Sequence, residues 1–280
     1  MVFSEDSRVK IPCILHLVRL GYTYLSLKDA TWDEETNIFT DVFRASIAKI
    51  NPGLTPIDID RIFEDVKLSL DNEDLGQAFY EKLTDRSGIK LIDFNNFEKN
   101  SFHVVTELTC KNGDDEFRPD ITLLINGLPL AFIEVKKPNN KEGVLAERNR
   151  IIARSRNNRF RRFINITQLM VFSNNMEYDD GSPQPIEGAF YATSSYNSPI
   201  FNYFREEEPE VLAALLGRED DQAENAVLRD NNLTVIKHSP EFISNKSFDT
   251  PTNRICTSLF SHDRFKFILR FALVYVNEVD

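Results

Sequence analysis

The sequence predicts an α/β fold, a mixed central sheet flanked by helices, with further helical regions before and after it. Three observations carry that expectation. Apolar residues recur at helical spacing through the first third, short apolar runs separated by turn residues fill the middle, and helical periodicity returns near the end. No sharp boundary divides the chain. Its organisation reads as a mainly helical part over 1–97, an α/β core over 98–200 and a mostly helical region over 201–280.

In the first part, Phe39, Val42, Phe43, Ile47 and Ile50 mark one helix, which Asn51-Pro52-Gly53 stops. Thr55-Pro56 starts the next, with Asp58 completing a capping box and Ile59, Ile62, Phe63, Val66 and Leu70 forming the buried stripe. A third helix is expected from about Asp74 to Thr84. The centre then offers a strand over Phe102–Cys110, a turn at Lys111-Asn112-Gly113-Asp114, and two apolar runs, Arg118–Ile125 and Leu130–Lys137. Further strands are expected at Gln168–Ser173 and Gly188–Thr193. In the last part Pro209–Leu216 and Arg254–Val276 read as helical, and the acidic stretch Arg218–Glu224 as an exposed link.

Composition narrows the class. An apolar fraction of 41% with 22 phenylalanines excludes general disorder. Neither a signal peptide nor a long apolar run is present, so no membrane partner is expected. Cys13, Cys110 and Cys256 lie far apart without a CxxC, which points to reduced, buried thiols in a cytoplasmic protein. The net charge is −11, yet Lys136–Arg162 holds ten Lys or Arg against two Glu. Such a basic stripe on an acidic body suits a phosphate backbone. Within it, Arg148, Arg156 and Arg159 share one side of a continuous helix and are the candidate DNA contacts.

The chemistry is expected in the hairpin Arg118–Lys137. Glu134 and Lys136 share a strand face. A three-residue loop, Asn126-Gly127-Leu128, pairs residue 120 with 134, whereas a two-residue Asn-Gly loop pairs Asp120 with Ile133. The odd loop gathers Ile121, Leu123, Ile125, Ala131, Ile133 and Val135 on one face. It leaves Leu124, Leu130 and Phe132 on the other, with Thr122, Asp120, Glu134 and Lys136 at the open end. The pattern therefore favours the odd loop and sets two carboxylates roughly 5 Å apart at Cβ. Carboxylates that close call for a hard cation, Mg²⁺ or Mn²⁺, which suits phosphodiester hydrolysis with Lys136 offsetting charge.

These residues also carry a resemblance. Pro119-Asp120, thirteen intervening residues and then Glu134-Val135-Lys136 resemble the PD-(D/E)xK nuclease motif. The run RPDITLLINGLPLAFIEVKKPNN, followed by FRRFINITQLMVFSNN and GAFYAT, is similar to the N-terminal nuclease domain of the type I restriction enzyme R (HsdR) subunit. The resemblance implies a restriction-endonuclease-like core and a metal-dependent type I site-specific deoxyribonuclease acting on double-stranded DNA. Asp120, Glu134 and the Val135 carbonyl would hold the metal, and Lys136 would be the catalytic lysine. It further implies an ATP-driven translocase and partner methyltransferase (M) and specificity (S) subunits. This chain has no GxxxxGK[ST] loop, so ATP would belong to motor domains outside it. A Q-x3-Y element of many relatives is replaced by Arg156-x3-Phe160, and an extra acid from an earlier helix is sought in Glu64 or Glu81. Two other readings stay open: a stand-alone repair or recombination nuclease of the same fold, and a catalytically degenerate DNA-binding or docking module. The four histidines read as structural, and Tyr178-Asp179-Asp180 as a polar loop.

Overall fold

The computed structural model describes residues 4–86, 88–112, 115–138, 140, 143–178, 181, 187–195 and 199–276. Gly113 and Asp114 of the expected turn, Asp179 and Asp180, and Lys141 of the basic segment lie outside the described residues. The chain begins with a π-helical turn, Asp6–Lys10, that runs into α1 (Ile11–Arg19), and continues through β1 (Thr23–Tyr24), α2 (Thr40–Ile50), α3 (Pro56–Ser69) and α4 (Gln77–Thr84). Seven strands and two helices follow among the described residues: β2 (Phe102–Thr106), β3 (Cys110–Asn112), β4 (Asp115–Phe117), β5 (Ile121–Ile125), β6 (Leu128–Val135), α5 (Gly143–Ser155), α6 (Arg161–Ile166), β7 (Leu169–Ser173) and β8 (Ala189–Ala192). The last part holds α7 (Pro209–Ala214), α8 (Asp221–Asp230), α9 (Pro240–Asn245), α10 (Pro251–Phe260) and α11 (His262–Phe267).

Six strands form one mixed sheet in the order β1-β2-β5-β6-β7-β8, with helices packed around it. β2, β5 and β6 run antiparallel to their neighbours in turn, while β1 with β2 and β6 with β7 are parallel. The parallel step from β6 to β7 needs a crossover, which α5 and α6 supply. This is the α/β architecture expected, and it is consistent with a restriction-endonuclease-like core.

β5 and β6 are buried along their whole length because both sheet faces are covered. On one face Ile121, Leu123, Ile125, Ala131, Ile133 and Val135 join the main core with α1, α2, α3, α10 and α11; on the other, Phe132 packs with Phe117, Ile151, Phe160 and Phe172. The main core thus draws on all three parts of the chain. Where α1 crosses α10, Cys13 Sγ lies 3.6 Å from Cys256 Sγ, and His16 Nε2 is 2.7 Å from Thr257 Oγ1. All three cysteines are free and buried.

The capping box of α3 forms as the sequence dictates: Asp58 N–H donates to Thr55 Oγ1, and Thr55 N–H donates to Asp58. Several boundaries differ from expectation, among them the strand expected over Phe102–Cys110, which stops at Thr106 while Cys110 opens β3 in a separate two-stranded sheet with β4. Asp74-Leu75-Gly76 is a turn ahead of α4, with Asp74 accepting from Gly76 and Ala78 N–H, and Leu75 and Gly76 at positive φ. The acidic link is cut short because Asp220 caps α8, accepting from Gln222 and Ala223 N–H. Finally, the expected helix over 254–276 breaks at Ser261, whose ψ of 141° is extended, and ends in a π-helical turn, Ile268–Ala272.

Candidate active site

The turn between β5 and β6 corrects the expected loop. It has two residues, Asn126 and Gly127, at φ 53° and 79°, with Ile125 paired to Leu128. That is the positive-φ pair a tight hairpin needs. Asn126 stands it by bonding outward: its side chain accepts from Ser101 N–H and donates to Leu91 O and Asn100 Oδ1. A β-bulge then shifts the register. Leu124 pairs with Pro129 but Leu123 pairs with Ala131, leaving Leu130 unpaired and turned into the main core instead of toward Phe132. The extra residue restores the odd register, so that one step beyond Ile121–Ile133 Asp120 stands opposite Glu134. The expected apposition holds, by a different device.

Asp120 closes the end of the ladder with its side chain, whose Oδ2 accepts from Val135 N–H at 2.8 Å. Lys136 N–H donates to Ser173 O of β7 at 2.7 Å, which fixes the backbone just past β6. From there the ammonium folds back: Nζ donates to the Val135 carbonyl at 2.9 Å and lies 4.0 Å from Asp120 Oδ2 and 3.8 Å from Glu134 Oε2. A third carboxylate, Glu147 on α5, stands 3.4 Å from the same nitrogen. A fourth, Glu5, comes from the start of the N-terminal helix, where the Lys137 backbone N–H bonds it within the fields of Lys136 and Asp120. The buried Lys10, paired with Asp6 at 2.6 Å and Glu107 at 2.7 Å, ties that helix beside Asp120, whose carbonyl accepts from Glu107 N–H.

The electrostatics follow from burial and crowding. Burial, then the charge of Asp120 and a hydrogen bond to it, hold the Glu134 carboxyl well above the usual carboxylate range, with only partial relief from Lys136. Burial disfavours the Lys136 ammonium, yet Glu134, Asp120, Glu147 and Glu5 outweigh it and raise its pKa. Glu5 is raised as well, by burial first. Two carboxyls that cannot both ionise cheaply, beside an inward-turned carbonyl, make a donor set of hard oxygens that fits Mg²⁺ or Mn²⁺. Among the described residues no group of three or more His, Cys, Asp or Glu is spaced to hold a metal. The oxygens available to a cation beside Lys136 are those of Asp120, Glu134 and the Val135 carbonyl.

Other expected residues lie elsewhere. Glu64 is exposed on α3, and Glu81, exposed on α4, accepts from Gln77; the acids that join the triad are Glu5 and Glu147. Glu147 had a legible signal, since it occupies the buried stripe Val144, Glu147, Ile151 at helical spacing. The continuous arginine face does not form. α5 stops at Ser155, and Asn157, accepting from Arg159 N–H, caps a separate 3₁₀ turn. Arg156 and Arg159 are exposed past the helix end, and Arg148 is half-buried with Nε lacking a hydrogen-bond partner among the described residues. Phe160 is buried core. Arg161 and Arg162 bind Asp71, Glu73 and Glu35, tying α6 to the loop after α3 and to the segment ahead of α2. Of the histidines, His16 is buried, His262 stacks on Phe102 at 3.9 Å and His238 is exposed on the C-terminal part.

Residues 2–182, which carry the whole constellation, match the family model for the type I restriction enzyme R protein N terminus. The chain belongs to that family. It is 29% identical over 206 residues to a putative type I restriction enzyme endonuclease subunit (MjaIXP) of Methanocaldococcus jannaschii, covering 64% of this chain and 19% of the relative. It is also 30% identical over 147 residues to the type I restriction enzyme HindI endonuclease subunit of Haemophilus influenzae, covering 44% of this chain and 14% of the relative. The R-protein N-terminal region described here therefore spans about a fifth or less of the length of these relatives. No helix among its described residues is long and apolar enough to cross a membrane.

Proposed function

We propose that this R-protein N-terminal region is the endonuclease part of a type I restriction enzyme, hydrolysing DNA phosphodiester bonds at Asp120, Glu134 and Lys136 with Mg²⁺ or Mn²⁺. The observation that carries the reading is the position of the Lys136 ammonium, bonded to the Val135 carbonyl and within 4.0 Å of both opposed carboxylates. A divalent cation held by Asp120, Glu134 and the Val135 carbonyl would polarise a phosphoryl oxygen and stabilise the leaving oxygen. Lys136 hydrogen-bonds the attacking water and counters the charge that develops on the phosphoryl group. Its ammonium stays protonated for this work because carboxylates surround it. The Asp120–Val135 hydrogen bond locks the two strand ends together, so the acidic pair keeps its spacing as substrate enters. In the complete R protein, by this reading, ATP-driven translocation in other domains delivers cytoplasmic double-stranded DNA, and the M and S subunits select the target.

The test is cleavage by the full-length R protein assembled with its partners. Asp120→Ala is expected to abolish Mg²⁺-dependent plasmid cutting while ATP hydrolysis continues. Cutting at the wild-type rate by this variant would remove the site assignment.

A further inference from the structure

The arginines on and after α5 differ in what they hold. Arg150 pairs with Glu147, Arg161 with Asp71 and Glu73, and Arg162 with Asp71 and Glu35. Arg154 stands apart. Its guanidinium carbon lies 3.6 Å from the centroid of the Phe117 ring, and among the described residues it makes no hydrogen bond or ion pair. It is half-buried, it lies within the fields of Glu134 and Glu147, and Phe117 is only three residues ahead of Asp120. Phe117 is itself packed edge-on against Phe132 at 6.0 Å and Phe163 at 5.1 Å, which holds the ring on two sides.

None of the Arg154 nitrogens is a buried, unpartnered atom, so its N–H groups stay accessible to an incoming ligand. Stacking on Phe117 occupies one face of the plane and leaves the N–H edge for an anion that offers two acceptor oxygens. Phosphate is the anion that this cation, within the field of Glu134, would meet if DNA approaches the acidic pair, and a bidentate guanidinium–phosphate contact is among the stronger charge-assisted pairs. The acidic site would otherwise repel the substrate backbone.

We propose that Arg154, presented by Phe117, grips a DNA phosphate next to the scissile one and positions the backbone over Asp120, Glu134 and Lys136. This rests on the nuclease reading above. The contact is sequence-independent, because it engages the backbone and not a base edge.

The test compares Arg154→Gln, Arg154→Lys and Asp120→Ala in the full-length R protein assembled with its partners, under ATP and Mg²⁺. Arg154→Gln is expected to slow cleavage tenfold or more at low KCl, and its rate to fall off less steeply than that of wild type as KCl is raised, with ATP hydrolysis and melting temperature unchanged. Arg154→Lys, which keeps the charge, should recover part of the rate. Wild-type cleavage by Arg154→Gln, alongside an inactive Asp120→Ala, overturns the phosphate contact and leaves the nuclease reading standing. Cleavage by both variants sinks the nuclease reading instead. Equal losses in the Lys and Gln variants together with lowered melting temperatures assign Arg154 to packing and also overturn the proposal.

Discussion

His16 sits where α1 crosses α10, and it makes folding of this chain sensitive to mild acid. Thr257 Oγ1 donates to Asn253 O at 3.1 Å, so its oxygen is left to accept from His16 Nε2 at 2.7 Å. The ring is then the neutral Nε2–H tautomer, and Nδ1 has no hydrogen-bond partner among the described residues. Complete burial, aided by the charge of Arg19, pushes the His16 pKa down from its ordinary 6.5 to about 3. The sign follows from linkage. Below pH 6.5 the unfolded chain takes up a proton that the folded chain refuses, so stability falls by about 1.4 kcal/mol per pH unit until the folded pKa is reached. Between pH 7.5 and 5.5 His16 alone should remove about 1.4 kcal/mol. Urea unfolding of wild type and His16→Gln at both pH values isolates this, because other titrating groups act on both proteins alike. Wild type should lose about 1.4 kcal/mol more than the variant over that interval. An equal loss in the two proteins would refute a neutral, buried His16.

Two further outcomes concern the site's framework. Gly127→Ala should destabilise the protein by about 2 kcal/mol or more in urea unfolding, since the residue lies at φ 79° and a Cβ would come within 2.6 Å of Phe39 O. An unchanged midpoint would mean that the turn relaxes freely. Glu147→Ala removes a carboxylate 3.4 Å from Lys136 Nζ and should slow cleavage by the assembled enzyme roughly tenfold, the equivalent of about 1.4 kcal/mol, with ATP hydrolysis retained. Full-rate cleavage would show that Lys136 holds its place without α5.

The hairpin shows what a single sequence can and cannot deliver. Opposed positions for Asp120 and Glu134 were legible because only one register gathers Ile121, Leu123, Ile125, Ala131, Ile133 and Val135 together. The bulge was not, since β5 and β6 are buried on both faces and Leu130 is apolar whichever way it points. Period-2 alternation carries least information in such strands. The arginine cluster misled for a related reason. Helical spacing counted on past Ser155, but Asn157 offered the backbone a local hydrogen bond that ended the helix. Glu5 left no signal at all, because it reaches the triad through a tertiary contact between the chain's beginning and the end of β6. Strong local codes, such as Thr55-Pro56 with Asp58, came through intact.

The crossing of α1 over α10 bears on how this region can be divided. The family description ends at residue 182, yet Ile255, Cys256, Leu259 and Phe260 share one buried core with Ile11, Cys13, Ile14 and Leu17. The helix that begins beside Glu5 thus leans on a wall built some 240 residues later. A protein cut back to the recognised stretch would keep every residue of the triad and lose the buttress behind Glu5, the acid that joins it from the N-terminal helix. The boundary of kinship and the boundary of cooperative folding fall in different places along this chain.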